Sequence, residues 1–428
     1  MSEWKTCTLN EIVDFGNGKA RPKTEGNIAI YGGNGVLGFS GDSNYSGETI
    51  IIGRVGAYCG ATYYESDPIW VSDNALSAKA KEGFIPKYAY YVLKSKNLNQ
   101  YAQGSSHPLL TQGLLNKIDA YVTTNQDIQK KIVSIIGGLE EKIAVNKQTI
   151  QTLENIAQAI FKSWFVDFDP TCAKVAAREN GQDPELAAMA AIAGKEVDDL
   201  NSLGSEQIEK LKSTAALFPD NLIDSELGQI PEGWEIKPIN DWGDVVCGKT
   251  PPKKDPGNYG GGIPFIKIPD MHGNVFVTRT SDSLTLKGSD TQKKKQIPKG
   301  SVCVSCIATV GQVVISSETS HTNQQINSIV PHDESFTPFL YFSMLEKNKL
   351  LHDLASGGSA TLNLNTGNFS KVLLTYPGED LLAKYSDVVS PQLEGILELA
   401  RQTISLSNIR DSLLPKLLSG ELEVASAN

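Results

Sequence analysis

The sequence predicts an α+β fold: two mixed, β-rich globular domains separated by an antiparallel pair of long α-helices, related by an internal pseudo-two-fold duplication. Three observations predict it. The chain matches itself at long range; each copy opens with a Gly-, Asn- and Ser-rich stretch of short β-type runs; and each closes with apolar residues at three- and four-residue steps. At 428 residues, 40% of them apolar, the chain is nearly three times the roughly 150-residue domain prior and has apolar residues enough for more than one core.

The duplication is read residue by residue. Trp4 matches Trp234, Gly18-Lys19 matches Gly248-Lys249 and Pro22-Lys23 matches Pro252-Lys253, all 230 positions apart. Ile52 through Gly60 then aligns with Cys303 through Gly311 at 251, and Phe84-x-Pro86 with Phe336-x-Pro338 at 252. Leu139-Glu140 meets Leu393-Glu394 at 254, where Gln148-Thr149-Ile150 also recurs as Gln402-Thr403-Ile404. The drift runs one way, so the second copy carries about two dozen extra residues. A period this long is a duplicated module, because solenoid repeats run to roughly 20 to 45 residues.

Taken in chain order, residues 1–124 read as the first β-rich domain, with runs such as Thr49-Ile50-Ile51-Ile52 broken by turn residues. Residues 125–170 follow as a helical region with the stripe Ile128, Ile132, Ile135, Leu139, Ile143, Ile150, Leu153, Ile156 and Ile160. An acidic, Ala-rich connector covers 171–231. The second β-rich domain, 232–378, includes the run Val302-Cys303-Val304. The second helical region and tail, 379–428, carries Leu382, Tyr385, Val389, Leu393, Ile396, Ala400, Ile404, Ile409, Leu413 and Leu417. Gly137-Gly138 and, 254 positions on, Pro391-Gln392 with Ser390 as N-cap fall at matching places and predict a break in each helix. Each copy is thus expected to have a short helix of about ten residues and a long one of about 27, roughly 40 Å in length. The short helices, near 126–136 and 380–389, are expected to leave apolar surface for a partner.

Charge is unevenly spread. The net charge is −10, but residues 167–226 hold thirteen acidic against five basic side chains. Residues 245–300 hold ten Lys or Arg, including Lys253, Lys254 and Lys293-Lys294-Lys295, against four Asp. That is a footprint a phosphate backbone can use; a solvated lysine face would look the same. The longest apolar run, Leu186 to Ala193, is eight residues, too short for a membrane span. With no signal-type opening and six scattered cysteines, a cytoplasmic, reduced chain is expected.

Four motif matches suggest chemistry, and their contexts argue against it. Gly243-x4-Gly248-Lys249-Thr250 fits a P-loop, yet Pro251-Pro252 follows where a helix should open. Gly33-Asn-Gly35-Val-Leu-Gly38 fits a dinucleotide fingerprint but runs into Ser40-Gly41-Asp42-Ser43. Cys303-Val-Ser-Cys306 has no second ligand pair, and its repeat partner is Ile52-Gly-Arg-Val55, so it reads as strand. Pro219-Asp220 with Glu235-Ile-Lys237 resembles a nuclease metal site only in residue type. The five histidines form no metal pair, and no GxSxG elbow or Asn-Pro-Pro-Tyr motif occurs. No metal or catalytic residue is assigned to the chain.

The arrangement resembles the specificity (S) subunit of type I restriction-modification enzymes, in which two target-recognition domains alternate with two conserved helical regions. The residues carrying the resemblance are Ala159-Ile-Phe-Lys-Ser-Trp-Phe-Val-Asp-Phe-Asp-Pro170, Leu217-Phe-Pro-Asp220, Asp224-Ser-Glu-Leu-Gly228, Ile230-Pro-Glu-Gly-Trp234 and Leu413-Leu-Pro-Lys-Leu-Leu-Ser-Gly420. It covers nearly the whole chain; the 171–216 stretch departs from it in being longer and richer in alanine. The resemblance implies a non-catalytic subunit that reads double-stranded DNA. It also implies two copies of a methyltransferase (M) subunit using S-adenosylmethionine and a restriction/translocase (R) subunit using ATP and Mg, with no cofactor in this chain. Competing readings are an enzyme and a structural coiled-coil adaptor.

Within that reading, the phosphate candidates are Lys19, Arg21, Lys23 and Arg54 in the first copy and Lys249, Lys253 and Lys254 in the second. The candidates near base edges are Ser105, Ser106 and His107, with Ser359, Thr361 and Asn363.

Overall fold

A computed structural model describes residues 4–104, 108–356 and 362–423. The chain forms two compact units, Met1–Ala144 with Ile404–Asn428, and Val145–Thr403. Each unit contains one β-rich domain and a part of each of two long helices, Gln126–Phe165 and Glu379–Leu418.

The duplication is topological. In the first unit the main sheet has the order Val13–Asn17, Ala75–Ala80, Thr49–Gly53, Thr62–Glu65. In the second it runs Gly243–Cys247, Ile326–Pro331, Val302–Ser305, Val313–Ser316, with Phe276–Val277 added at the edge. A smaller sheet in each contains one parallel pair, Ile28–Gly32 with Trp70–Val71 and Tyr259–Ile266 with Ser320–Thr322. In both units the strand entering the domain pairs antiparallel with the strand leaving it, Trp4–Thr8 with Asp119–Thr123 and Glu235–Pro238 with Leu373–Tyr376. Parallel pairing forces long connections, and the closing pair ties the two ends of each domain together.

The ladders move one expected equivalence by a residue. Ile50 faces Ala78 where Val302 faces Ile329, so the third strand is offset by 252, not 251. Cys303 therefore corresponds to Ile51, and Cys306 to Arg54. The offset returns to 251 at the following turn, where Gly60 N–H donates to Gly53 O and Gly311 N–H to Ser305 O. The second copy thus has one residue fewer in this loop, and alignment on the shared glycine conceals it.

The predicted helix breaks do not occur. Gln126–Phe165 and Glu379–Leu418 are each continuous over 40 residues, roughly 60 Å. The cause is tertiary. Ile132 and Ile136 are fully buried in the first domain's core, and Tyr91 Oη donates to Glu140 Oε2 (2.8 Å), clamping the helix on both sides of Gly137-Gly138. Leu381, Leu382, Tyr385 and Val389 before Pro391, and Leu393, Ile396 and Leu397 after it, all enter the second domain's core. The residues expected to form leftover short helices near 126–136 and 380–389 are therefore used to seal their own domains, and that motive for a docking surface falls away.

Burial along the helices repeats at a spacing of 253. Ile132, Ile136, Phe161, Trp164 and Phe165 are buried, and so are Tyr385, Val389, Leu414, Leu417 and Leu418. The Phe-x-x-Trp-Phe of the first helix and the Leu-x-x-Leu-Leu of the second are the same packing device in different residues. In the second unit Phe165 meets Trp234, Phe339 and Tyr385 at ring-centroid distances of 5.9, 5.0 and 4.9 Å. A Cβ on Gly395 would stand 3.3 Å from Leu153 Cδ1, while Phe161 and Trp164 meet Tyr385, so here the helices run antiparallel. In the first unit Leu414, Leu417 and Leu418 join the core of the domain that holds Ile132 and Ile136.

The acidic connector is folded. Helices Asp169–Glu179, Pro184–Ala193 and Ser205–Ala215 surround a small core of Ala188, Met189, Ala190, Leu200 and Ala215. Lys174, 2% exposed, holds it to the following segment: its Nζ donates to Glu185 Oε1 (2.8 Å) and Phe218 O (2.9 Å) and lies 3.3 Å from Asp220 Oδ1.

Helix continuity at the Gly-Gly step has a direct consequence. A Cβ at Gly138 meets nothing within 4 Å. Gly138→Ala is expected to stabilise the chain by about 0.8–1 kcal/mol through helix propensity, read as a rise in melting temperature. A lowered melting temperature would mean that the position needs glycine's freedom.

Candidate nucleic-acid interface

The repeated Gly-Lys step is built by backbone contact. Gly18 N–H donates to Ala75 O (3.2 Å) and Lys19 N–H to Val71 O (2.9 Å). The second copy repeats both, Gly248 N–H to Ile326 O (3.1 Å) and Lys249 N–H to Thr322 O (3.0 Å). A Cβ on Gly18 would fall 1.7 Å from Ser72 O, and one on Gly248 2.2 Å from Asn323 O. Only glycine allows this approach. The lysine backbone is thereby fixed while the Lys19 and Lys249 side chains remain exposed.

The other basic candidates follow on from this step. Arg21 and Lys23 lie exposed on an irregular stretch after Lys19. Lys253 and Lys254 occupy an exposed turn whose backbone is pinned by Asp255 N–H to Pro252 O (3.3 Å), Asn258 Nδ2 to Pro252 O (3.1 Å) and Tyr259 Oη to Pro251 O (2.7 Å). The nearest acid in sequence, Asp255, is paired with Lys287 Nζ at 2.6 Å, which holds its carboxyl below the usual range. The turn therefore keeps its positive charge. Lys293 and Lys294, not singled out among the site residues, are exposed on the short helical turn Lys293–Lys295.

Arg54 differs from these lysines. It is half-buried, and its backbone is held by N–H donation to Asn74 O (3.0 Å) and by acceptance from Leu110 N–H (2.9 Å). Asn363 is exposed and occupies the place that Leu109 has in the first copy: it bridges to Ile307 as Leu109 does to Val55, and its N–H donates to Ala355 O (3.1 Å). Ser105, Ser106, His107, Ser359 and Thr361 lie outside the described residues.

The motif matches resolve as their contexts indicated. No helix opens after Thr250, whose Oγ1 donates to Gln324 Oε1 (2.6 Å). Gly33–Gly38 spans the hairpin joining Ile28–Gly32 to Gly35–Ser40. Cys303 lies in a buried strand and Cys306 just beyond it, and burial pushes their thiols up to about 12 and about 11. Asp220 is held below the usual carboxylate range, against the upward push of desolvation, by Arg178 and Lys174. Lys237 pairs with Glu235 (3.1 Å) and stands 3.3 Å over the Tyr376 ring. Among the described residues no cluster of three His, Cys, Asp or Glu could hold a metal, and no helix is long and apolar enough to cross a membrane.

Sequence reasoning placed Ile135, Ile156 and Ile409 in the packing stripes and did not name Val388; all four are exposed on the long helices. Ile135 and Val388 are each 39% exposed, and Ile156 and Ile409 are 44% and 46% exposed. Both pairs are related by 253, the spacing of the buried positions. Comparison across the repeat at that spacing would have found them, but the identities at 254 pointed elsewhere.

A domain repeated in this way, with matched basic turns and matched long helices, defines a class that the comparisons specify. The chain belongs to the type I restriction modification DNA specificity domain family, which it matches twice, over residues 1–155 and 231–380. It is 43% identical over 357 residues to the type I restriction enzyme HindI specificity subunit of Haemophilus influenzae, covering 79% of this chain and 78% of that one. It is 23% identical over 378 residues to the MjaIX specificity subunit of Methanocaldococcus jannaschii, covering 84% and 74%. The crystal structure of a type I restriction-modification S subunit from M. genitalium shares the fold, with a TM-score of 0.59 at 15% identity over 97% of this chain and 96% of that one. The chain is a specificity subunit of a type I restriction-modification system.

The basic turn of the second domain can be tested on its own. If Lys253 and Lys254 both touch phosphate, the double variant K253A/K254A should reduce the slope of log binding constant against log salt by about two. An unchanged slope would remove both from the interface.

Proposed function

We propose that the chain reads a split double-stranded DNA sequence, each β-rich domain taking one half, and that it carries the catalytic subunits without being catalytic itself. The observation that carries this reading is the duplication at residue level: two domains of one topology, each presenting an exposed lysine from the same glycine-fixed backbone turn. Lys19, Arg21 and Lys23 in one copy and Lys249, Lys253 and Lys254 in the other would neutralise phosphates and set register on the duplex. Asn363 is the described candidate for a base edge.

Catalysis then belongs to the partners. Methylation with S-adenosylmethionine falls to M subunits, and translocation and cleavage with ATP and Mg to an R subunit. Two M copies are supported by the duplication, because two equivalent units, one exposing Ile135 and Ile409 and the other Val388 and Ile156, fit two equivalent partners. The mass of the assembled methylating complex reads this number, and one M subunit per chain would contradict it.

Replacing residues 1–124 with the corresponding domain of another family member tests the reading. One half of the recognised sequence is expected to change and the other to stay. A change in both halves would show that the domains do not read independently. A complex that binds all sequences alike with either domain would leave only a structural adaptor.

A further inference from the structure

Among the described basic candidates, Arg54 alone is half-buried, an environment that does not suit a phosphate contact. Its Nε lies out of solvent with no acceptor, and its side chain makes no hydrogen bond or ion pair with any described residue. A guanidinium drawn partly out of water with no carboxylate to meet it has lost hydration that nothing in the described chain replaces. The surroundings are rigid. Gly53 passes so close to the following loop that a Cβ would stand 2.2 Å from Tyr58 O. Cys59 Sγ donates to Arg54 O (3.2 Å), which Leu110 N–H also reaches. The Gly33 turn packs against Val55 O, Asn74 O and Gly53 Cα, with a Cβ there at 3.5, 3.6 and 3.8 Å from them. Val55 and Tyr58 beside it are exposed, giving the arginine apolar neighbours instead of acidic ones.

From this we infer that Arg54 is a specificity-determining residue that recognises a guanine base edge in the half-site read by the first domain. The inference rests on the DNA-reading function proposed above. Exposed cations such as those of the 19–23 stretch suit phosphate contacts, whereas Arg54 projects a half-buried guanidinium from a backbone held at both its N–H and its carbonyl. With Nε sealed off, the two terminal nitrogens remain to donate. Guanine presents two acceptors side by side, O6 and N7, in the major groove, and arginine meets them with two parallel hydrogen bonds. The second domain lacks this device. Its equivalent residue is Cys306, 2% exposed, whose thiol donates inward to Val304 O (3.5 Å). A guanine read at this point in one half-site has no counterpart read in the same way in the other.

The test uses the full-length chain assembled with its partner subunits, as wild type, R54Q and R54K, bound to a duplex library randomised over the recognised sequence. The wild type is expected to select a split sequence with a G·C pair fixed at the Arg54 position. R54Q is expected to lose that preference by roughly tenfold or more, with the other half-site and the salt slope unchanged. R54K, with a compact ammonium in place of the planar fork, is expected to weaken preference at the same position only. If R54Q does not assemble, R54K decides. Full wild-type preference in the variants overturns the assignment, as does a loss spread evenly over all sequences with the slope reduced by about one, the mark of a phosphate contact. A wild-type complex with no sequence preference overturns the DNA-reading function, and this assignment with it.

Discussion

The structure depends on what the long helices bury at their ends. Each gives one end to each of two hydrophobic cores: Ile132 and Ile136 to the first and Phe161, Trp164 and Phe165 to the second, with Leu414, Leu417 and Leu418 to the first and Tyr385 and Val389 to the second. Fully burying a large apolar side chain is worth about 1.5–3 kcal/mol. Five such residues per helix outweigh the roughly 1 kcal/mol cost of a helical glycine and the roughly 3 kcal/mol cost of a proline. Hence Gly137-Gly138 stays helical, and the second helix runs through both Pro391 and Pro415.

The same constraint separates what can vary from what cannot. The β-rich domains share strand order, closing pair and glycine-fixed turn, yet differ in their loops. About twenty residues are added in the second domain, including the turn Lys293–Lys295, and one residue is lost from the loop that begins at Arg54 in the first domain and Cys306 in the second. Loops supported by a rigid scaffold can change the groups they present without disturbing the sheet beneath. That division places a cation, Arg54, in one copy where the other buries a thiol, Cys306.

Much of this was legible in the sequence, because close backbone approach and core strands keep their residues. Gly18 and Gly248 could be matched since no other residue fits, and Cys303-x-x-Cys306 could be recognised as structural because no second ligand pair accompanies it and its repeat partner holds no cysteine. Features set by tertiary packing were not legible. Local Gly-Gly and Ser-Pro signals indicated helix ends that burial overrides. The equivalence of Phe161, Trp164 and Phe165 with Leu414, Leu417 and Leu418 was hidden because packing conserves volume and position, not identity. The connector's fold was obscured by its acidity, although the Lys174 cluster holding it together uses three of the residues that gave the segment its charge pattern.

The central claim is that one chain makes two separate readings of DNA, one with each β-rich domain. A genome-wide methylation map of cells carrying the assembled system tests it most directly. The account predicts a motif of two short half-sites separated by a spacer of constant length with no base preference. A single uninterrupted motif, or two half-sites at variable spacing, would contradict it.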